Sequence, residues 1–368
     1  TVGMVLFEIP TGVVADARGR RASFLLGTLV LSGSTLAYYA LWAAHGPFAL
    51  WALVSILLGL GFTFFSGATE AWLVDALKFT GFKGNLESVF AKGQIVSGVA
   101  MLSGSVLGGL IAQWTNLGVP YLLRGLALLV TFVVAFLYMR DWGFVPKPGK
   151  HPVREMGQVV QGSVRYGLGN PPVRWMMLAA PFTFGVGIYA FYAMQPYLLE
   201  LYGDEQAYSI AGLAAAIIAG AQIAGGMVAP QVRRLFRNRT SALLTGLLIE
   251  IGLLALLGLT TAFWVAIALL VLWGLTAAAI LPIRQAYVNG LIPSEQRATV
   301  LSFDNLLGSS GGVVIQPALG KAADVWSYST SYLVGAAVQL LAVPFTVLAK
   351  RERASSDPVE VEPAQQGA

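Results

Sequence analysis

The chain has 368 residues, of which 56% are hydrophobic and only 11% charged, against roughly 25% charged in soluble domains, so an ordinary water-exposed surface is excluded. The net charge of +5 raises nucleic acid as a partner, and the distribution of the basic residues described below argues against it. No Cys is present, which excludes a disulfide framework, a thiolate nucleophile and a Cys-based metal site.

Eleven apolar segments run along the chain, at 1–15, 22–44, 48–75, 88–113, 120–139, 174–199, 208–232, 241–260, 263–288, 299–322 and 330–349. About 20 apolar residues span a bilayer as a helix. The 42 glycines suit such helices, because small residues let backbones approach. The chain opens inside an apolar run, without the charged n-region of a signal peptide. Most connections are short. The long one, 141–172, carries Asp141, Pro146, Pro148 and Pro171-Pro172. Within it Met156, Val159, Val160, Val164 and Leu168 recur at helical spacing, which predicts an amphipathic helix on the membrane surface. The expected organisation is an N-terminal bundle over 1–140, the central loop over 141–172, a C-terminal bundle over 173–350 and a tail over 351–368. The tail is polar from Ser355 onward and is expected to be disordered.

Charge gives the orientation. Nineteen of the 23 Lys and Arg residues fall on alternate connections: around Arg18 to Arg21, Lys78 and Lys83, the central loop with Arg140 and Arg174 at its edges, Arg233 to Arg239, Arg297, and Lys350 to Arg353. The opposite connections, near His45, Asn116, Asp204, Thr261 and Ser327, carry none. The positive-inside rule puts the basic loops, the central loop and the C-terminus in the cytoplasm of a plasma (inner) membrane protein. Residues spread over every such loop do not form a nucleic-acid stripe.

The two halves also resemble each other. Gly104-Ser-Val-Leu-Gly108 with Trp114 matches Gln316-Pro-Ala-Leu-Gly320 with Trp326 at an offset of 212. Gly12 to Arg21 matches Gly226 to Arg233-Arg234 loosely, at an offset near 214. A duplicated bundle is a recurrent transporter plan.

The stretch Gly12-Val-Val-Ala-Asp16-Ala-Arg18-Gly19-Arg20-Arg21 reads as a tight hairpin between two membrane helices. Gly12 permits close helix approach, and Gly19 permits a turn closed to most residues. Asp16 can face a helix N-terminus, and Arg20 can reach a carboxylate on another helix. The alternative is a generic basic loop obeying the orientation rule.

This stretch resembles the signature loop of the major facilitator superfamily, G-x-x-x-D-R-x-G-R-R, with Ala17 where the family often has Arg. The resemblance implies an all-α membrane fold of two pseudo-symmetric six-helix bundles, acting as a monomer. In that fold the loop joins helices two and three, so the segments here would be helices two to twelve, and a first helix is expected before Thr1. It also implies that the loop is a conformational lock involving Gly12, Asp16, Gly19, Arg20 and Arg21. In that lock Asp16 caps helix eleven, and Arg20 pairs with Asp75 at the end of helix four. Two further family patterns are imperfect: Ser55 replaces the Arg of R-x-x-x-G, and Ser105 replaces the Pro of G-P-x-x-G-G. Glu8-Ile-Pro10-Thr-Gly12 and Ser66-Gly-Ala-Thr-Glu70-Ala-Trp72-Leu-Val-Asp75 look like drug-exporter-like bacterial members.

Ionisable residues inside the bilayer cost about 2.5–3.5 kcal/mol each and are functional candidates. Glu8 and Glu70 lie roughly a third of the way in from the basic side. Glu70 matches Arg284 under the offset of 214, and the two are expected to face one another across the halves; separate pairs within each half are the alternative. A carboxyl that alternates between dry and wet settings can take up and release a proton, and Glu8 and Glu70 are the candidates. Lys92, Asp304 and Asn305 read as gate or interface groups. Glu250 has no reading beyond pairing or snorkelling, and Arg124 and Lys321 are expected to reach the outer interface. Tyr189, Phe191, Tyr192, Gln195 and Pro196, with Trp273, offer rings and polar groups for an amphipathic organic substrate; ordinary packing and an interfacial belt are the alternative.

No phosphate-binding loop, cofactor motif or metal-ligand cluster stands in the sequence, so no enzyme activity is expected. The leading expectation is alternating-access, proton-coupled efflux of small amphipathic molecules. Uptake by the same fold, and a non-transporting receptor or assembly factor, are the alternatives.

Overall fold

The computed structural model describes residues 2–65, 68–82, 86–143, 167–292 and 297–358. The side chains of several helical residues, Asp16, Glu70, Asp75 and Lys92 among them, and the placement of Gly12, lie outside the described set. So does residues 144–166, where the amphipathic helix is expected.

The described residues are nearly all helical. In chain order the helices are α1 (Val2–Arg18), α2 (Arg20–Ala43), α3 (Phe48–Phe65), α4 (Ala68–Phe79), α5 (Leu86–Trp114), α6 (Gly118–Tyr138), α7 (Pro171–Tyr202), α8 (Tyr208–Arg234), α9 (Arg239–Leu259), α10 (Phe263–Asn289), α11 (Arg297–Val325), α12 (Tyr328–Leu340) and α13 (Ala342–Arg351). The apolar segment at 48–75 is thus built as α3 and α4, and the last segment as α12 and α13. Taking α12 with α13 as one span, eight helices among the described residues are long and apolar enough to cross a membrane by length and composition. The segments outside that set are α1, which has 17 residues, and the more polar α5 and α11.

Local chemistry sets several ends. Pro171 and Pro172 open α7, where a missing N–H costs nothing, and Gly203 closes it in the left-handed conformation at φ 80°. Ser327 caps α12 by accepting from the Thr330 amide. The last span breaks at Leu341, three residues before Pro344, whose ring nitrogen has no hydrogen to return to the preceding turn.

Two compact units are present, one on residues 1–100 and 107–158, the other on 159–368 with 101–106. In unit one, α2 packs against α3 and α6, and α1 against α3. A Cβ on Gly3 would run into the Ile56 carbonyl, and one on Gly59 into the Gly3 backbone, so α1 and α3 touch through their main chains. Thr11 Oγ1 donates to Thr63 O at 3.1 Å, and Ser32 Oγ on α2 donates to Gly125 O on α6 at 2.9 Å. These two hydroxyls satisfy themselves on backbone carbonyls, as a setting without bulk water favours.

In unit two, α7 packs against α11 and against α13, α8 against α10, and α9 against α10 and α12. Gly311 on α11 lies on the Pro181 backbone of α7, leaving no room for a Cβ. One core cluster gathers Tyr197, Ile218, Leu254, Leu270 and Tyr332; a second, toward the basic end, gathers Val173, Met177, Ile283, Tyr287 and Val300. Leu168, the described end of the expected surface helix, packs against the second cluster.

The tail departs from expectation. Residues 354–358, part of the stretch expected to be disordered, are docked on unit two, and Asp357 is 3% exposed. The physical reason is a set of hydrogen bonds to the start of α9, described next.

Candidate functional site

The signature hairpin is shorter than a conventional turn. α1 ends at Arg18 and α2 begins at Arg20, so Gly19 is the whole connection. Its backbone sits at φ 105° and ψ 153°, a region open essentially to glycine. The Asp141 carboxylate, just after α6, occupies the space where a Gly19 Cβ would stand. That carboxylate accepts from the Arg21 amide at 2.7 Å and so caps the start of α2, where unpaired N–H groups and the helix dipole favour a negative charge. The Arg21 guanidinium donates to the Phe136 carbonyl at 2.7 Å and lies 5.2 Å from the Phe136 ring centre. Trp72 Nε1 on α4 donates to the Arg140 carbonyl at 2.8 Å. The hairpin, α4 and the end of α6 are therefore tied together within unit one. The expected lock of Asp16 on helix eleven and of Arg20 on Asp75 falls on side chains outside the described set; Arg20 itself is half-buried.

Unit two carries the same device. The α8–α9 connection is 235–238, and the N-cap residue Asn238 makes no side-chain cap of its own. Asp357 supplies it from beyond α13. Its carboxylate accepts from the Thr240 amide at 2.8 Å, the Thr240 hydroxyl at 3.0 Å and Asn238 Nδ2 at 3.0 Å. Its carbonyl accepts from the Arg239 amide at 2.8 Å. The Arg239 guanidinium donates to the Ser356 and Pro358 carbonyls, and Ser356 Oγ donates to the Tyr287 carbonyl at 2.9 Å. Sequence reasoning missed both aspartates in this role. The signal was present: Asp141 and Asp357 are 216 residues apart, close to the offset of the repeat.

Arg284 does not stand free to meet Glu70, as expected. Asp304 on α11, 4% exposed, takes its guanidinium through two hydrogen bonds of 2.8 Å, and the Met176 carbonyl of α7 accepts a third at 3.3 Å. A planar guanidinium meeting a carboxylate two-on-two is the strongest geometry of its kind, and it joins α7, α10 and α11 inside one unit. Glu70 is on α4, its side chain outside the described set, and Glu8 is half-buried on α1.

The aromatic candidates on α7 divide. Tyr189 is core: it is 7% exposed, its ring lies tilted 6.0 Å from that of Tyr332, and it donates to Ser331 Oγ at 2.5 Å. Trp273, 5% exposed, is core as well. Tyr192 and Gln195 lie on the uncovered side of the helix, together with Phe184 and Phe191. Tyr189 and Tyr192, three residues apart, are therefore separated: α12 covers the first, and the second is exposed. Ser55, in place of the family's Arg, bonds the Tyr38 hydroxyl at 2.5 Å. No group of His, Cys, Asp and Glu able to hold a metal ion occurs among the described residues.

Duplicated helical units, each with a carboxylate from its last connection capping an internal helix, define a polytopic membrane protein of repeated architecture. The chain belongs to the Major Facilitator Superfamily, whose family model matches residues 1–249 and 233–367. Among solved structures, the crystal structure of a D-xylose–proton symporter is similar with a TM-score of 0.66 at 13% identity, over 94% of this chain and 84% of that one. A mutant of the nucleoside transporter NupG is similar with a TM-score of 0.68 at 11% identity, over 94% and 88%. At such identities the likeness establishes the fold alone. No curated protein matches the chain.

Proposed function

We propose that the protein is a proton-linked secondary transporter that moves a small organic molecule by alternating access. The observation that carries the substrate class is the uncovered face of α7, where Phe184, Phe191, Tyr192 and Gln195 set aromatic surface beside an amide. Rings with one or two polar groups bind amphipathic organic molecules through apolar area and take their orientation from the polar group. Glu8 and Glu70 are the proton carriers in this reading, since a carboxyl that passes between a dry and a wet setting exchanges a proton on the way. The hairpin of Gly12, Asp16, Gly19, Arg20 and Arg21, with Asp75, sets which state is favoured. The basic loops face the cytoplasm.

Efflux is favoured by the stretches around Glu8 and Glu70 that look like those of drug exporters. Uptake is favoured by the likeness to a D-xylose–proton symporter and a nucleoside transporter. Flux of a panel of cationic dyes, sugars and nucleosides in proteoliposomes, with and without a pH gradient, separates the two. Flux that tracks the gradient in wild type and loses that dependence in Glu8→Gln or Glu70→Gln is expected. Gradient dependence unchanged in both variants rejects the proton carriers. No flux of any compound, with a stable protein partner recovered instead, rejects transport.

A further inference from the structure

Glu250 stands at the middle of α9, eleven residues after Arg239 and nine before Leu259, in a helix able to span the bilayer. It is half-buried by protein, and at that depth hydrocarbon covers the rest. Its Oε2 accepts one hydrogen bond, from Gln339 Nε2 on α12 at 2.8 Å. Gln339 is 2% exposed, and its carbonyl Oε1 is buried with no donor.

Among the described residues no cation is placed to balance a carboxylate there. On α9 the nearest basic residue is Arg239, and on α12–α13 the nearest to Gln339 is Lys350, each eleven residues or about 16 Å away along the helix. α8 carries basic residues only in its last turn, Arg233 and Arg234. The single basic residue of α10, Arg284, is held by Asp304. Of the tyrosines on these helices, Tyr332 donates to the Ala190 carbonyl and Tyr287 to the Ala349 carbonyl. Tyr208 and Tyr328 open their helices at the far end.

A carboxylate has no hydrogen to offer the empty Gln339 carbonyl, whereas a carboxylic acid has one. We infer that Glu250 binds a resident proton and closes a two-way acid–amide clasp, its O–H donating to Gln339 Oε1 while Gln339 Nε2 donates to Glu250. The proton is the only species taken up, and both buried polar groups are then satisfied. The clasp holds α9 to the last span just before its break at Leu341, where a packing contact alone would leave the Gln339 carbonyl without a hydrogen-bond partner. It is distinct from the proton carriers proposed above, and it stays in place through the transport cycle.

Infrared spectra of the protein in liposomes at neutral pH test it. One component of the protonated carboxylic acid carbonyl stretch should be lost in Glu250→Gln, with the carboxylate bands unchanged. Glu250→Gln, which keeps an N–H donor toward Gln339 Oε1, should retain the wild-type melting temperature and the wild-type pH-gradient dependence of flux. Gln339→Leu should lower the melting temperature and shift the acid carbonyl to the frequency of an unbonded group. Loss of a carboxylate band instead of the acid band in Glu250→Gln overturns the inference. A lowered melting temperature in Glu250→Gln overturns the clasp, and loss of gradient dependence overturns its separation from transport.

Discussion

The two units cap the same helix with the same side chain and differ in how much that side chain must do. In unit one the connection is Gly19 alone, and among the described residues Asp141 contributes one hydrogen bond, to the Arg21 amide. In unit two the connection runs over 235–238, and Asp357 ties down Asn238, Arg239 and Thr240 through four bonds. A one-residue turn has little freedom left to remove, so the backbone itself positions α2. A longer turn must be ordered by something else, and a distant segment of chain supplies it.

The sharpest break in this comparison lies one layer deeper. Arg284 and Asp304 close unit two, while the offsets of 214 and 212 bring Glu70 and Lys92 into their register with the signs exchanged. Arg284→Ala leaves Asp304 buried without a partner and should cost about 3–5 kcal/mol of unit-two stability, read as a fall in melting temperature in detergent. If the register carries the same pairing, Glu70→Lys and Lys92→Glu should each destabilise and the double exchange should restore wild type. An additive double variant ends the parallel.

Next in size is Asp357→Ala. It removes a cap and strands the buried Thr240 hydroxyl and amide, an expected loss of about 2–3 kcal/mol. Hydrogen exchange should accelerate at the start of α9 and leave α2 untouched. Asp141→Ala removes one half-buried bond and should cost about 1 kcal/mol, with exchange raised at the start of α2 alone. Equal effects of the two alanine variants would erase the distinction between a turn-ordered and a tail-ordered helix.

Much of this architecture is legible in the residues. The apolar segments, the hairpin at Gly19 and the offset between halves all express local periodicity or short-range turn chemistry. The caps are a different kind of information. Arg21 and its partner are 120 residues apart, and Thr240 and its partner 117, so nothing near either helix names the carboxylate. The polarity of the tail suggests disorder because composition counts charges without seeing that one of them fills a socket. Arg284 illustrates the same limit: the repeat pairs it with Glu70, while the fold brings Asp304, 20 residues on, to its fork. On α7 the three-residue spacing of Tyr189 and Tyr192 is compatible with one face, and only the position of α12 decides which ring is covered.

The reach of these caps has a consequence for biosynthesis. Each capped helix leaves the ribosome long before its aspartate exists, and at about 5–20 residues per second the wait for Asp357 after Thr240 is roughly 6–23 seconds. During that interval α9 enters the membrane with its first amides open, and Asp141 has already been made. The first unit can therefore close while the second is still being translated, and each half is finished by its own last-made connection.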